Sequence, residues 1–121
     1  LVKNNKLIVD GSHNEDGARA LNEYLQSLDC NKHIIIGMMA NKEHEKYIGY
    51  FKNISSITTI DLKTQPNSIS GIDLKEKFRG IPNVQYQPNI EQAIKSIDCK
   101  EGDLLLITGS LYGAAEVLKL N

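Results

Sequence analysis

Asp10-Gly11-Ser12-His13-Asn14 gathers a carboxylate, a hydroxyl, an imidazole and an amide into five consecutive residues, directly after the aliphatic run Leu7-Ile8-Val9. A carboxylate there can accept two hydrogen bonds from a ribose diol or hold a metal ion, and His13 can donate to a phosphate or a ribose oxygen. Ser12 or Asn14 can equally cap a following helix while Asp10 merely ties the turn together. Both readings stay open on spacing alone. A second candidate is Lys42 in Gly37-Met38-Met39-Ala40-Asn41-Lys42-Glu43, where an ammonium can reach the same crevice. The plainer alternative is a solvated lysine with Asn41 as the helix cap. The third is Thr108-Gly109-Ser110-Leu111-Tyr112, which offers a hydroxyl and backbone N–H groups to a carboxylate or phosphate at a helix start, or a simple serine cap.

Other polar residues point to less. Glu15 and Asp16 complement the dipole of the helix they open and repel a phosphate from it, and neither GxGxxG nor GxxxxGK[ST] occurs in the chain. A nucleotide bound at the first turn would therefore turn its sugar towards it. His33 and His44 have no acidic or thiol partner at ligand spacing, so they read as surface or structural residues and no metal site is expected. Cys30 and Cys99 stand far apart, outside any CxxC or zinc spacing, and read as reduced thiols of a cytoplasmic protein.

The elements that must position these residues alternate. Strands are predicted at 6–10, 33–38, 57–61, 84–86 and 103–108, the second central and the fourth a weak edge. Between them, helices are predicted at 15–28, with Ala18, Leu21, Leu25 and Leu28 on one stripe, and at 43–51, with Tyr47, Ile48 and Phe51 inward. Further helices are predicted at 72–78, closed by Gly80 and Pro82, at 90–97 behind an Asn89 cap, and after Ser110. The 63–70 stretch reads as a loop. Alternation of this kind predicts an α/β fold, a Rossmann-like and mostly parallel sheet with right-handed crossovers and helices on both faces. Ligands in such sheets bind beyond the carboxyl ends of the strands, where all three candidate stretches fall.

At 121 residues the chain is expected to form a single domain, 1–121. Its net charge of -1 gives no footprint for nucleic acid or an anionic membrane. No apolar stretch approaches the roughly 20 residues of a membrane span, and no signal peptide is visible. The start at Leu1 instead of methionine reads as a cut.

Taken together, Leu-Ile-Val-Asp-Gly-Ser-His-Asn-x-x-Gly-Ala-Arg-Ala-Leu, Gly-Met-x-x-Asn-Lys-Glu and Ile-Thr-Gly-Ser-Leu-Tyr-x-x-Ala-Glu-Val-Leu resemble the folylpolyglutamate synthase/dihydrofolate synthase family. More narrowly, they resemble its C-terminal domain, which is shared with the Mur ligases. The resemblance runs over nearly the whole chain. It implies part of an ATP-dependent amide ligase that adds L-glutamate to a pteroate or folate through an acyl phosphate. It also implies a preceding central domain, absent from this chain, that holds most of the ATP and Mg²⁺, so no catalytic residue is expected here and the domain should be inactive alone. By matching position, Asp10 would hold the ribose hydroxyls with His13 and Asn14 close to the nucleotide, and Lys42 matches the lysine of the usual Asp-Lys-Asp. Ser110, with Tyr112 beside it, matches the region that receives the incoming amino acid.

Three positions depart from the family pattern. Glu15 replaces a usual proline, Asn41-Lys42-Glu43 replaces Asp-Lys-Asp, and Pro66 is followed by Asn67 where an arginine is common. If that arginine meets a substrate carboxylate, this chain lacks the contact. Two other readings remain: a Mur-type cell-wall ligase domain, against which the Thr-Gly-Ser-Leu-Tyr ending argues, and a non-catalytic module. The latter includes a signalling receiver using Asp10 and Asp61, which lacks the lysine expected after the fifth strand.

Overall fold

The computed structural model describes residues 6–9, 15–63 and 65–109. Over these the chain runs β1 (Lys6–Val9), α1 (Glu15–Gln26), β2 (Lys32–Gly37), α2 (His44–Gly49), β3 (Ser56–Thr59), α3 (Gly71–Lys77), β4 (Val84–Tyr86), α4 (Ile90–Ser96) and β5 (Leu104–Gly109). Each expected element is present within two residues of its expected bounds. The turn 10–14 and the expected last helix lie outside the described residues.

The strands form one five-stranded sheet in the order β1-β5-β2-β3-β4, and every pairing is parallel. β2 is central and β4 lies at an edge, as the sequence suggests. All six residues of β2 and of β5 are buried. Alternation sends their side chains into two cores. Ile34, Ile36, Leu104 and Leu106 pack with Ala18, Leu21 and Leu25 of α1, Tyr47 and Ile48 of α2, and Leu74 of α3. Ile35, Leu105 and Ile107 pack on the other face with Ile90 and Ala93 of α4. The chain steps in one direction along the sheet from β1 through β4 and then steps back to β5. A constant crossover hand requires α4 to change faces at that reversal, and it does.

Local signals account for the helix ends. The Asn89 side chain accepts the Gln92 N–H at 2.8 Å, as expected of that cap. Ser70, read in the sequence only as loop, accepts the Asp73 N–H at 3.1 Å and starts α3. Gly80 takes φ +96° just beyond α3, a left-handed conformation that glycine supplies without a Cβ clash. Asn41 is not the cap of α2. Glu43 occupies that position and makes no side-chain capping bond, because Asn41 lies in a turn two residues too early.

Candidate functional site

The carboxyl ends of the central strands set the site. β2 ends at Gly37, paired with Gly109 at the end of β5, and β1 runs beside β5. Asp10, His13 and Asn14 follow β1, while Ser110 and Tyr112 follow β5. All five lie outside the described residues, so the structure places the ends of their strands and not their side chains. Lys42 is described. It is half-buried and lines a cavity of 310 Å³ with Glu43, His44, Lys46 and Lys77. It makes no hydrogen bond or ion pair with the described residues.

The loop before Lys42 is held from two sides. Ala40 N–H donates to the Asn67 carbonyl at 2.8 Å and Ile69 N–H to the Met38 carbonyl at 3.0 Å, around an antiparallel bridge between Met39 and Ser68. Two of the departures from the resemblance, Asn41-Lys42-Glu43 and Pro66-Asn67, therefore lie on neighbouring segments. His44 Nε2 stands 2.9 Å from the Met39 carbonyl oxygen. A carbonyl only accepts, so Nε2 carries the proton and His44, buried, is a structural residue. The Thr108 hydroxyl shares a buried 2.7 Å hydrogen bond with the Tyr47 hydroxyl.

Asp61 follows β3 at the same edge. Its Oδ1 accepts the Gly71 N–H at 2.7 Å, fixing the first residue of α3, and its Oδ2 accepts from the Tyr86 hydroxyl. A receiver's phosphoacceptor needs a free carboxylate oxygen, and here both are engaged. The signalling reading loses its acceptor.

The hydrogen bond to Asp61 in the first place, then burial and the Asp61 charge, hold the Tyr86 phenol above its ordinary value of 10.0. A raised pKa favours the protonated phenol in the folded state. Its stabilisation is complete below the unfolded value and is lost as pH rises through the folded one. Tyr86→Phe is therefore expected to cost about 1 kcal/mol at neutral pH. The gap between variant and wild type should close above about pH 10, read by urea unfolding across pH. A gap that stays constant through that range contradicts the assignment.

The amino ends of the interior strands β2 and β5 hold a cluster that sequence spacing did not reveal. His33 is the second residue of β2, and Asp103 immediately precedes β5. The parallel register sets Lys32 beside Leu104. His33 Nε2 comes to 3.1 Å from Asp103 Oδ2, and its Nδ1 to 2.7 Å from the Ser56 hydroxyl. Cys99 joins them, and the donor atoms of all three buried residues lie within 4.8 Å of one another. Burial, then the charge of Asp103, pushes the Cys99 thiol up. Burial also works to raise Asp103, but the Lys100 N–H and the hydrogen bond and charge of His33 outweigh it and hold the carboxyl below its usual value. The expectation that His33 has no acidic or thiol partner holds for sequence spacing and fails in three dimensions. The available signal was the position of all three residues at or just before two strands that turn out to be neighbours.

Comparison with known proteins now adds to this geometry. The family described as Mur ligase, glutamate ligase domain, matches residues 1–111. The dihydrofolate synthase/folylpolyglutamate synthase of Bacillus subtilis (strain 168) is 27% identical over 115 residues, which cover 92% of this chain and 26% of that protein. Among solved structures, the bifunctional folylpolyglutamate synthase/dihydrofolate synthase of Yersinia pestis CO92 superposes with a TM-score of 0.83 at 21% identity, covering 94% of this chain and 28% of that one. A structure of a bifunctional enzyme of the same description with Mn, AMPPNP and L-glutamate bound superposes at 0.82 and 22% identity, with 94% and 28% covered. The chain thus spans about a quarter of the length of these relatives.

Proposed function

The chain belongs to the Mur ligase family as a glutamate ligase domain, and on that premise we propose that it is the C-terminal domain of an ATP-dependent ligase that adds L-glutamate to dihydropteroate, to folates, or to both. The match over residues 1–111 carries this reading. The relative that binds Mn, AMPPNP and L-glutamate supports its substrates. In the reaction, a carboxylate oxygen of the pteroate or folate takes the terminal phosphoryl group of ATP, releasing ADP. The glutamate nitrogen then attacks the acyl carbon, the carbon–oxygen bond to phosphate breaks, and the nitrogen gives up a proton as the amide forms.

This domain's share is positioning and charge. Asp10 holds the ribose hydroxyls, with His13 and Asn14 beside the nucleotide, and Ser110 and Tyr112 receive the amino acid. Lys42 supplies a positive charge across the crevice. A Mg²⁺ ion, when bound, would supply charge neutralisation at the phosphates. On this reading Mg²⁺ and the phosphate-binding loop belong to a preceding central domain. The joined enzyme works in the cytoplasm, and no helix among the described residues is long and apolar enough to cross a membrane.

Lys42 gives the test. A charge-assisted hydrogen bond is worth about 1.5–3 kcal/mol, or roughly 10–100-fold in affinity. In the full-length protein, Lys42→Ala is expected to raise KM for ATP by that factor while the fold, followed by circular dichroism, is unchanged. An unaltered KM removes Lys42 from the nucleotide site.

A further inference from the structure

We propose that His33, Cys99 and Asp103 form a binding site for one borderline-soft divalent cation of the Zn²⁺ type, at the amino ends of β2 and β5, opposite their carboxyl ends. The donor set is an imidazole nitrogen, a thiol sulfur and a carboxylate oxygen, a combination that suits Zn²⁺ and not the hard ions Mg²⁺ or Ca²⁺. The three come from the second residue of β2 and from the segment entering β5, so the two central strands hold them in place.

The spacing fits. Zinc bonds to nitrogen and oxygen are about 2.0–2.2 Å long, which sets those two donors roughly 3.3 Å apart in a tetrahedral site. His33 Nε2 and Asp103 Oδ2 already stand at 3.1 Å. The sulfur lies within 4.8 Å of both, against roughly 3.5 Å in a tetrahedral site, a difference of about 1.3 Å at most that a side-chain rotation covers.

The surroundings orient the donors. Ser56 Oγ engages His33 Nδ1 at 2.7 Å and turns Nε2 towards Asp103, the outer hydrogen bond that metal-ligating histidines ordinarily have. The Lys100 N–H donates to Asp103 Oδ2 at 3.0 Å and fixes the carboxylate. In the absence of metal the hydrogen between Nε2 and Oδ2 is carried on Nε2; a cation binding Nε2 leaves the imidazole neutral with its N–H on Nδ1, donating to Ser56 Oγ, while Cys99 binds as thiolate and releases its proton to solvent. The site is reached from outside. Asp103 lines a surface depression of 360 Å³ with Cys30 and Glu101, and His33 lines another of 420 Å³ with Ser55 and Ser56. Water from either side completes the fourth position.

The proposal does not rest on the ligase reading, and its test reads no activity. Co²⁺ is added to the full-length protein and followed by absorption, and Zn²⁺ is added in parallel and followed by thermal unfolding. The expected result is a thiolate-to-cobalt charge-transfer band with tetrahedral visible bands, together with a rise in Tm on adding Zn²⁺. Both should be lost in Cys99→Ala and kept in Cys30→Ala. Ser56→Ala should keep the band and weaken Zn²⁺ binding roughly 10–100-fold. Circular dichroism of each metal-free variant confirms folding. A wild-type protein with no charge-transfer band, or a band that survives Cys99→Ala, overturns the proposal and leaves His33 and Asp103 joined by a structural hydrogen bond.

Discussion

Gly109→Ala is expected to destabilise the domain by at least about 3 kcal/mol and to lower its Tm by roughly 10 °C or more. Gly109 ends β5 with φ +109°, and a Cβ built there meets the Gly37 carbonyl oxygen at 2.0 Å and its carbon at 3.0 Å. Two costs add. The backbone sits where L side chains are strained, and the clash is with the paired backbone of β2, which cannot swing aside as a side-chain tip can. Relief requires separating β2 from β5 at their carboxyl ends. A stability of about 5–15 kcal/mol leaves little reserve for that.

Two other glycines separate the causes. Gly102 has φ +88° but no atom within 4 Å of its added Cβ, so Gly102→Ala should cost only the strain, about 1 kcal/mol. Gly49 lies in α2 with open space around it and should gain about 0.5–1 kcal/mol on becoming alanine. Equal effects at Gly109 and Gly102, measured by urea unfolding, would show that the close approach to Gly37 does not matter.

The role of Gly109 also marks how far the sequence could be read. Gly109-Ser110 reads in the sequence as the turn after a strand ending at Thr108, yet Gly109 is the last paired residue of β5. Nothing local says that another strand's carbonyl passes so close. The elements were legible because hydrophobic period is a local signal: Ala18, Leu21 and Leu25 mark the buried stripe of α1, and the unbroken Ile34-Ile35-Ile36 marks a strand buried on both faces. The order β1-β5-β2-β3-β4 is a property of the packed sheet, and whatever depends on it stays hidden. The His33, Asp103 and Cys99 cluster exists because β5 inserts between β1 and β2, bringing together residues 66 to 70 positions apart in the chain.

At the ligand edge, the chemistry of Asp10, His13, Asn14, Lys42, Ser110 and Tyr112 was legible as residue types after strand ends. Their roles came from the resemblance and not from spacing. The structure adds that Lys42 lines a surface depression with no hydrogen-bond or ion-pair partner among the described residues, and that Thr108 and His44 bond to Tyr47 and Met39. It also ties Asp61 to Gly71 and Tyr86, which a sequence that only places Asp61 after a strand cannot show.

The largest functional effect expected is complete loss of amide formation when residues 1–121 act alone. Phosphoryl and acyl transfer depend on preorganised charge at the reacting atoms, and removing a single donor from such a site costs about 100–1,000-fold. On the proposed reading this domain contributes Lys42, while the phosphate-binding loop and the Mg²⁺ ligands belong to the central domain.

The most direct measurement is ADP release by the full-length protein, followed with L-glutamate and dihydropteroate or a folate present together and then with each omitted. The account predicts one ADP per amide bond formed, dependent on both substrates, and none from residues 1–121 alone. A full-length protein with an intact phosphate-binding loop that forms no glutamylated product, or an isolated domain that does, would contradict it.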